Sequence, residues 1–104
     1  MTMIEEGLKV HSFHVEDVVV VVARGDVDAD AAAAMRAVFN SLGPDQHLYV
    51  DCVAVGFIDS DGLTALCEAA QRNVNAGGPL HTHASIQVRR RIETIGVEHL
   101  FAFD

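Results

Sequence analysis

The residues best suited to chemistry stand together near the middle of the chain, in the run Phe57-Ile58-Asp59-Ser60-Asp61-Gly62-Leu63. Two carboxylates flank a hydroxyl, and a glycine follows at once. Carboxylates so spaced can hold a magnesium ion between them, and one of them can then attack a phosphoryl group. A serine on a sharp turn can itself be a nucleophile. The same side chains also have a plainer use, because Asp and Ser cap helices by accepting hydrogen bonds from first-turn N–H groups. Leu63, Leu66, Cys67, Ala70 and Val74 recur at helical spacing immediately afterwards. The run is therefore expected at a helix N-terminus, where free N–H groups and the helix dipole favour negative charge.

What surrounds the run argues against catalysis. A serine-hydrolase elbow needs Gly-x-Ser-x-Gly, and Ile58 stands where the first glycine must be. A calcium loop needs a Glu six positions beyond its glycine. Glu68 is there, but the residues between form an apolar helix stripe instead of a ligand loop. The run also looks like the Asp-x-Asp-Gly-Thr-Leu opening of haloacid-dehalogenase-type phosphatases. Here Gly62-Leu63-Thr64 replaces Gly-Thr-Leu, the motif falls past the midpoint, and the sole lysine, Lys9, precedes it. No enzyme activity is expected.

Other reactive side chains do not converge. His81 and His83 are two apart and share a strand face, but no further ligand joins them predictably, so neither a metal nor a cofactor is expected. Cys52, at the end of a strand, and Cys67, on the helix stripe, read as small buried hydrophobes in a reducing compartment. Arg89-Arg90-Arg91 falls on the outward arc of a helix and reads as a solvated face.

The elements that must position these residues are legible from pattern. Leu8 to Val15 alternates with a change of phase near Ser12, which suggests a bulge or an edge strand. Val18-Val19-Val20-Val21-Val22-Ala23 is an unbroken β-branched run, the signature of a strand buried on both faces. Asp28 or Asp30 can cap an Ala-rich helix over Ala31–Leu42, whose apolar face is Ala31, Ala34, Met35, Val38, Phe39 and Leu42 and which stops at Gly43-Pro44. Leu48 to Val53 is a third strand leading to the central run. The helix after that run stops at Asn75-Ala76-Gly77-Gly78-Pro79. Leu80 to Ala84 is a short fourth strand. Ser85 can cap a last helix with Val88, Ile92 and Ile95 on one face, and Val97 to Phe103 holds a turn and a short final strand. The order β-β-α-β-α-β-α-β implies an α/β fold: a mixed, largely parallel sheet with an N-terminal hairpin and three crossover helices.

At 104 residues and 50% hydrophobic content, residues 1–104 are expected to form one domain around one core. The first residues lack the basic start and apolar stretch of a secretory signal, so a cytoplasmic location is expected. The longest apolar run is too short to insert in a bilayer. A formal net charge of −8 argues against nucleic acid and anionic membrane surfaces as partners.

Three segments together resemble the STAS domain, the family named for sulfate transporters and anti-sigma factor antagonists. Gly25-Asp26-Val27-Asp28 is similar to its Gly-Glu-(Leu/Ile)-Asp signature. Val50 to Leu63 resembles its central strand and Phe-Ile-Asp-Ser-Ser-Gly-Leu loop, and Val88 to Val97 its last helix. The resemblance covers nearly the whole chain, in register. It implies partner switching: an unphosphorylated antagonist binds an anti-sigma factor that is also a serine kinase of the histidine-kinase-like ATPase type. Phosphorylation of the second loop serine then breaks the complex, and a phosphatase resets it. The resemblance places partner contacts at Asp26, Asp28, Asp59, Ser60, Asp61, Gly62 and Leu63. Asp61 stands at the position normally phosphorylated, leaving Ser60, the match to the unmodified serine, as the one hydroxyl of the loop open to phosphorylation. The alternative is an accessory subunit of a membrane transporter complex, docking through the loop without phosphorylation.

Overall fold

The valine run is a strand, but it is not enclosed on both sides. In the computed structural model, which describes residues 9–43 and 46–104, β1 (Val10–Val15) and β2 (Val18–Val27) form an antiparallel hairpin. After them come α1 (Ala29–Ser41), β3 (His47–Ile58), α2 (Ser60–Ala76), β4 (Leu80–Ala84), α3 (Ile86–Thr94) and β5 (Phe101–Phe103), with a 3-10 turn at Glu98–Leu100. The five strands lie in the order β1-β2-β3-β4-β5, and every neighbouring pair from β2 onward is parallel. The mixed, largely parallel sheet with its N-terminal hairpin and three crossover helices is as the residue pattern implies.

Right-handed crossovers that each advance one strand in the same direction put every helix on the same face. Burial follows that rule. Val19, Val21, Ala23, Val50, Cys52, Leu80 and Thr82 are buried beneath helices, while Val18, Val20, Val22, Tyr49 and Asp51 are half-buried and His81 and His83 exposed. The expectation of a doubly buried β2 is thus corrected. Its outward valines are shielded by neighbours on the uncovered face instead, as Val20 lies between Phe13 and Tyr49 in the register.

The core fills the gap between the layers with Met35 and Phe39 of α1, Leu66 of α2, Val88 and Ile92 of α3 and Leu80 of β4. Helices lying on a sheet bury a broad arc, and the expected apolar faces shift accordingly. Ala32 is buried where Ala34 is exposed, Ala65 and Ala69 are buried where Cys67 is only half-buried, and Ile95 lies beyond α3 with 51% of its surface exposed.

Two strand expectations also change. β1 is an edge strand, but its register with β2 is unbroken from Val10 to Val15, so the bulge expected near Ser12 is absent there. Leu8 lies outside the described residues. The irregularities fall in β3, which carries an extra residue against β2 at two places, between Val22 and Arg24 and between Gly25 and Asp26. Gly25 meets this stretch with φ 75, a conformation that favours glycine. The buried positions of β3 are therefore Val50, Cys52, Val55 and Ile58, and the strand continues five residues past Val53 to Ile58. Cys52 lies within the strand and not at its end.

Candidate functional site

The C-terminal ends of the parallel strands carry the chain's central run, and three capped helices begin along the same edge. Asp28 accepts from Ala31 N–H at 3.0 Å to start α1. Asp59 accepts from Gly62 N–H at 2.9 Å to start α2, and Ser85 accepts from Val88 N–H at 3.2 Å to start α3. Each cap residue is extended, so its side chain folds over the first turn while its backbone continues the strand.

The turn from β3 into α2 is held from both sides. Asp59 N–H donates to Val27 O at 3.0 Å, tying it to the end of β2, and Leu63 N–H donates back to Asp59 O at 2.9 Å. Gly62 is buried where α2 meets the two strand ends: a Cβ there would lie 2.7 Å from Val27 Cγ1 and 2.9 Å from Ile58 Cγ1. With Asp59 turned to the helix N–H groups, Ser60 and Asp61 are the exposed members of the turn. Leu63 is buried and supports the turn from below.

The structure brings most of the expected site residues together. Asp26 pairs with Phe57 in the sheet register, one step from the Val27–Ile58 pair next to the turn, and both Asp26 and Asp28 are exposed. The Ala31 N–H, and then Lys9, hold the Asp28 carboxyl below its usual range. Their stabilising effect is present above the unfolded carboxyl pKa and lost as pH falls through the folded one.

Two cations pin this edge, a role that the residue pattern did not assign to either. Lys9 Nζ donates to Asp26 O at 2.9 Å and lies 3.5 Å from Asp28 Oδ2. Arg91 Nη1 donates to Ile58 O at 2.7 Å, so Arg91 is half-buried against the turn while Arg89 and Arg90 are exposed. Reading all three arginines as a solvated face is corrected on this point. The only signal in the sequence was Arg91's place beside Ile92, at the margin of the apolar arc. Phe57, which leads into the turn, is 52% exposed. From Ser60 an open groove of about 480 Å3 runs between α2 and the 3-10 turn, lined by Leu63, Thr64, Cys67, Arg91 and Ile95.

The arrangement offers a rigid, exposed anionic corner with an apolar flank. His81 and His83 are exposed on the uncovered sheet face, and among the described residues no three of His, Cys, Asp and Glu gather as a metal site. Burial pushes the Cys52 thiol up to about 12, with Asp51 adding to the effect, which leaves it protonated and inert at neutral pH. No helix among the described residues is long and apolar enough to cross a membrane.

A protein-family model described as "Mlab, STAS domain" matches residues 12–102. Among solved structures, an anti-sigma factor antagonist from Mycobacterium paratuberculosis is 24% identical over 90% of this chain and 82% of its own, with a TM-score of 0.68. The anti-sigma factor antagonist SpoIIAA in its unphosphorylated form is 15% identical, covers 91% of this chain and 86% of its own, and superposes with a TM-score of 0.71. No curated relative matches the chain.

Proposed function

We propose that this chain, which belongs to the STAS domain family, is a non-catalytic cytoplasmic regulator that acts by binding an anti-sigma factor. The surface is the edge formed by Asp26, Asp28, Ser60 and Asp61, built on Asp59, Gly62 and Leu63. One observation carries this reading: the β3–α2 turn is fixed by a cap, a backbone bond to the end of β2 and Arg91, yet it leaves Ser60 and Asp61 exposed. A turn so constrained loses little freedom on binding, which favours recognition by contact. The solved structures it resembles are antagonists of anti-sigma factors, and the partner proposed is one that is also a serine kinase of the histidine-kinase-like ATPase type.

Asp61 sets the state of the switch. A carboxylate cannot accept phosphate from a serine kinase, and it places about one negative charge where phosphoserine would place nearly two. A kinase face that rejects the phosphorylated form should hold wild type weakly. Ser60 is exposed at the helix N-terminus, where a phosphate would be electrostatically welcome. But the family's loop presents the following position, so we expect little modification there. The same Asp61 favours a second reading, in which the domain docks on a membrane transporter complex with no phosphorylation cycle.

The test is to capture partners from cells that make the protein, identify them by mass spectrometry, and titrate the purified partner with wild type, Asp61→Ser and Asp61→Asn. An ATPase-like kinase that binds Asp61→Ser about tenfold more tightly, near 1.4 kcal/mol, supports the switch. Equal binding by all three means that the partner has adapted to the carboxylate and overturns the switch, and a transporter's nucleotide-binding subunit as the partner selects the second reading.

A further inference from the structure

The hairpin strand β1 has an outer side that nothing among the described residues occupies. Arg24 N–H donates to Lys9 O at 2.9 Å, and Lys9 is the next residue out from the Val10–Ala23 pair. In an antiparallel ladder this makes Lys9–Arg24 a hydrogen-bonded pair, so His11, Phe13 and Val15 also turn their backbone groups toward β2. The N–H and C=O groups of Val10, Ser12 and His14 therefore point outward, free to pair. Natural edge strands are protected by prolines, charges or bulges. Val10–Val15 has no charged residue, no proline and an unbroken register. Phe13 is 45% exposed and Val15 51%.

We propose that β1 is the seam of a symmetric dimer in which two copies pair antiparallel along this edge, with the two-fold axis at Phe13. A two-fold axis through the sheet keeps the faces of both copies aligned, so residues of the same parity must meet. With the axis at Phe13, Ser12 exchanges backbone hydrogen bonds with His14 of the other copy. Phe13 meets its own copy at the close, non-hydrogen-bonded position, and His11 lies beside Val15. The same register sets Lys9 of each copy across from Asp17 of the other, an opposite-charge pair at both ends. That complementarity selects a second copy over an unrelated strand. For a chain with a net charge of −8, a strand free of acidic residues is also the surface on which two copies repel least. The seam lies on the far side of β2 from β3 and the α2 turn, and it meets the partner edge proposed above only at Lys9, which within its own chain holds Asp26 and Asp28.

Sedimentation of the full chain from micromolar to millimolar concentration should show a reversible dimer. Ser12→Pro removes an outward N–H that β2 does not use, and Phe13→Lys places two like charges on the axis. Each should raise the dimer dissociation constant at least about tenfold while cooperative unfolding is retained. Hydrogen exchange at the Ser12 and His14 amides should slow as concentration rises. A wild type monomeric throughout, a dimer indifferent to Phe13→Lys, or exchange at these amides independent of concentration would each overturn the proposal.

Discussion

Asp59, Ser60 and Asp61 are neighbours in sequence but do different things: the first caps α2 inwardly, while the other two face solvent. The capping was legible because a cap is a local event, an Asp or Ser acting on N–H groups three residues ahead. The Arg91 contact was not, since it joins positions 33 apart and depends on how α3 lies across the end of β3. Tyr49 gives a residue-scale test that needs no partner. It is the one tyrosine, in a chain without tryptophan, and its phenol donates to the Asp104 carboxylate. That bond, reinforced by desolvation and nearby negative charge, pushes its pKa up to about 12. A folded pKa above the unfolded value of about 10 means the contribution is complete below pH 10 or so and is lost as pH rises toward 12. A phenolate absorbance titration should give a midpoint near 12, moving toward about 10 in Asp104→Asn. A wild-type midpoint already near the lower value would mean the Tyr49–Asp104 bond does not form in solution.

At the scale of elements, α2 and β3 show where sequence pattern succeeds and where it stops. The start of α2 and its Gly77 stop could be read directly, because caps and glycine stops are written in residue types. The second half of β3 could not. Its two extra residues change the spacing of buried positions from two to three, and alternation is the signal by which a strand is recognised. Gly62 ties the two elements together, since any Cβ there would press on Val27 and Ile58. Gly62→Ala should lower stability by about 1–3 kcal/mol through overpacking, even though alanine alone favours a helix by about 1 kcal/mol. Denaturant unfolding would measure it. A variant as stable as wild type would mean α2 can lift from the strand ends without cost.

For the whole molecule, the main point that pattern could not reveal is that the sheet is covered on one side only. Val18 to Ala23 reads as doubly buried because hydrophobicity does not distinguish a helix above from flanking aromatic residues alongside. Val21 and Val20 separate the two faces, the first with 0% of its surface exposed and the second half-buried. Val21→Thr buries a hydroxyl among apolar groups and should cost about 1–3 kcal/mol. Val20→Thr should stay within about 0.5 kcal/mol of wild type, as read by thermal or denaturant unfolding. Similar losses at both positions would mean the open face is covered in solution. The order of the strands has its own consequence. Open α/β proteins hold small molecules where successive connections depart to opposite faces, leaving a crevice between two diverging strands. In β1-β2-β3-β4-β5 the order never reverses, so no such parting exists among these strands. The carboxyl ends of the parallel strands form a continuous rim, along which the helix starts succeed one another without a gap between diverging connections.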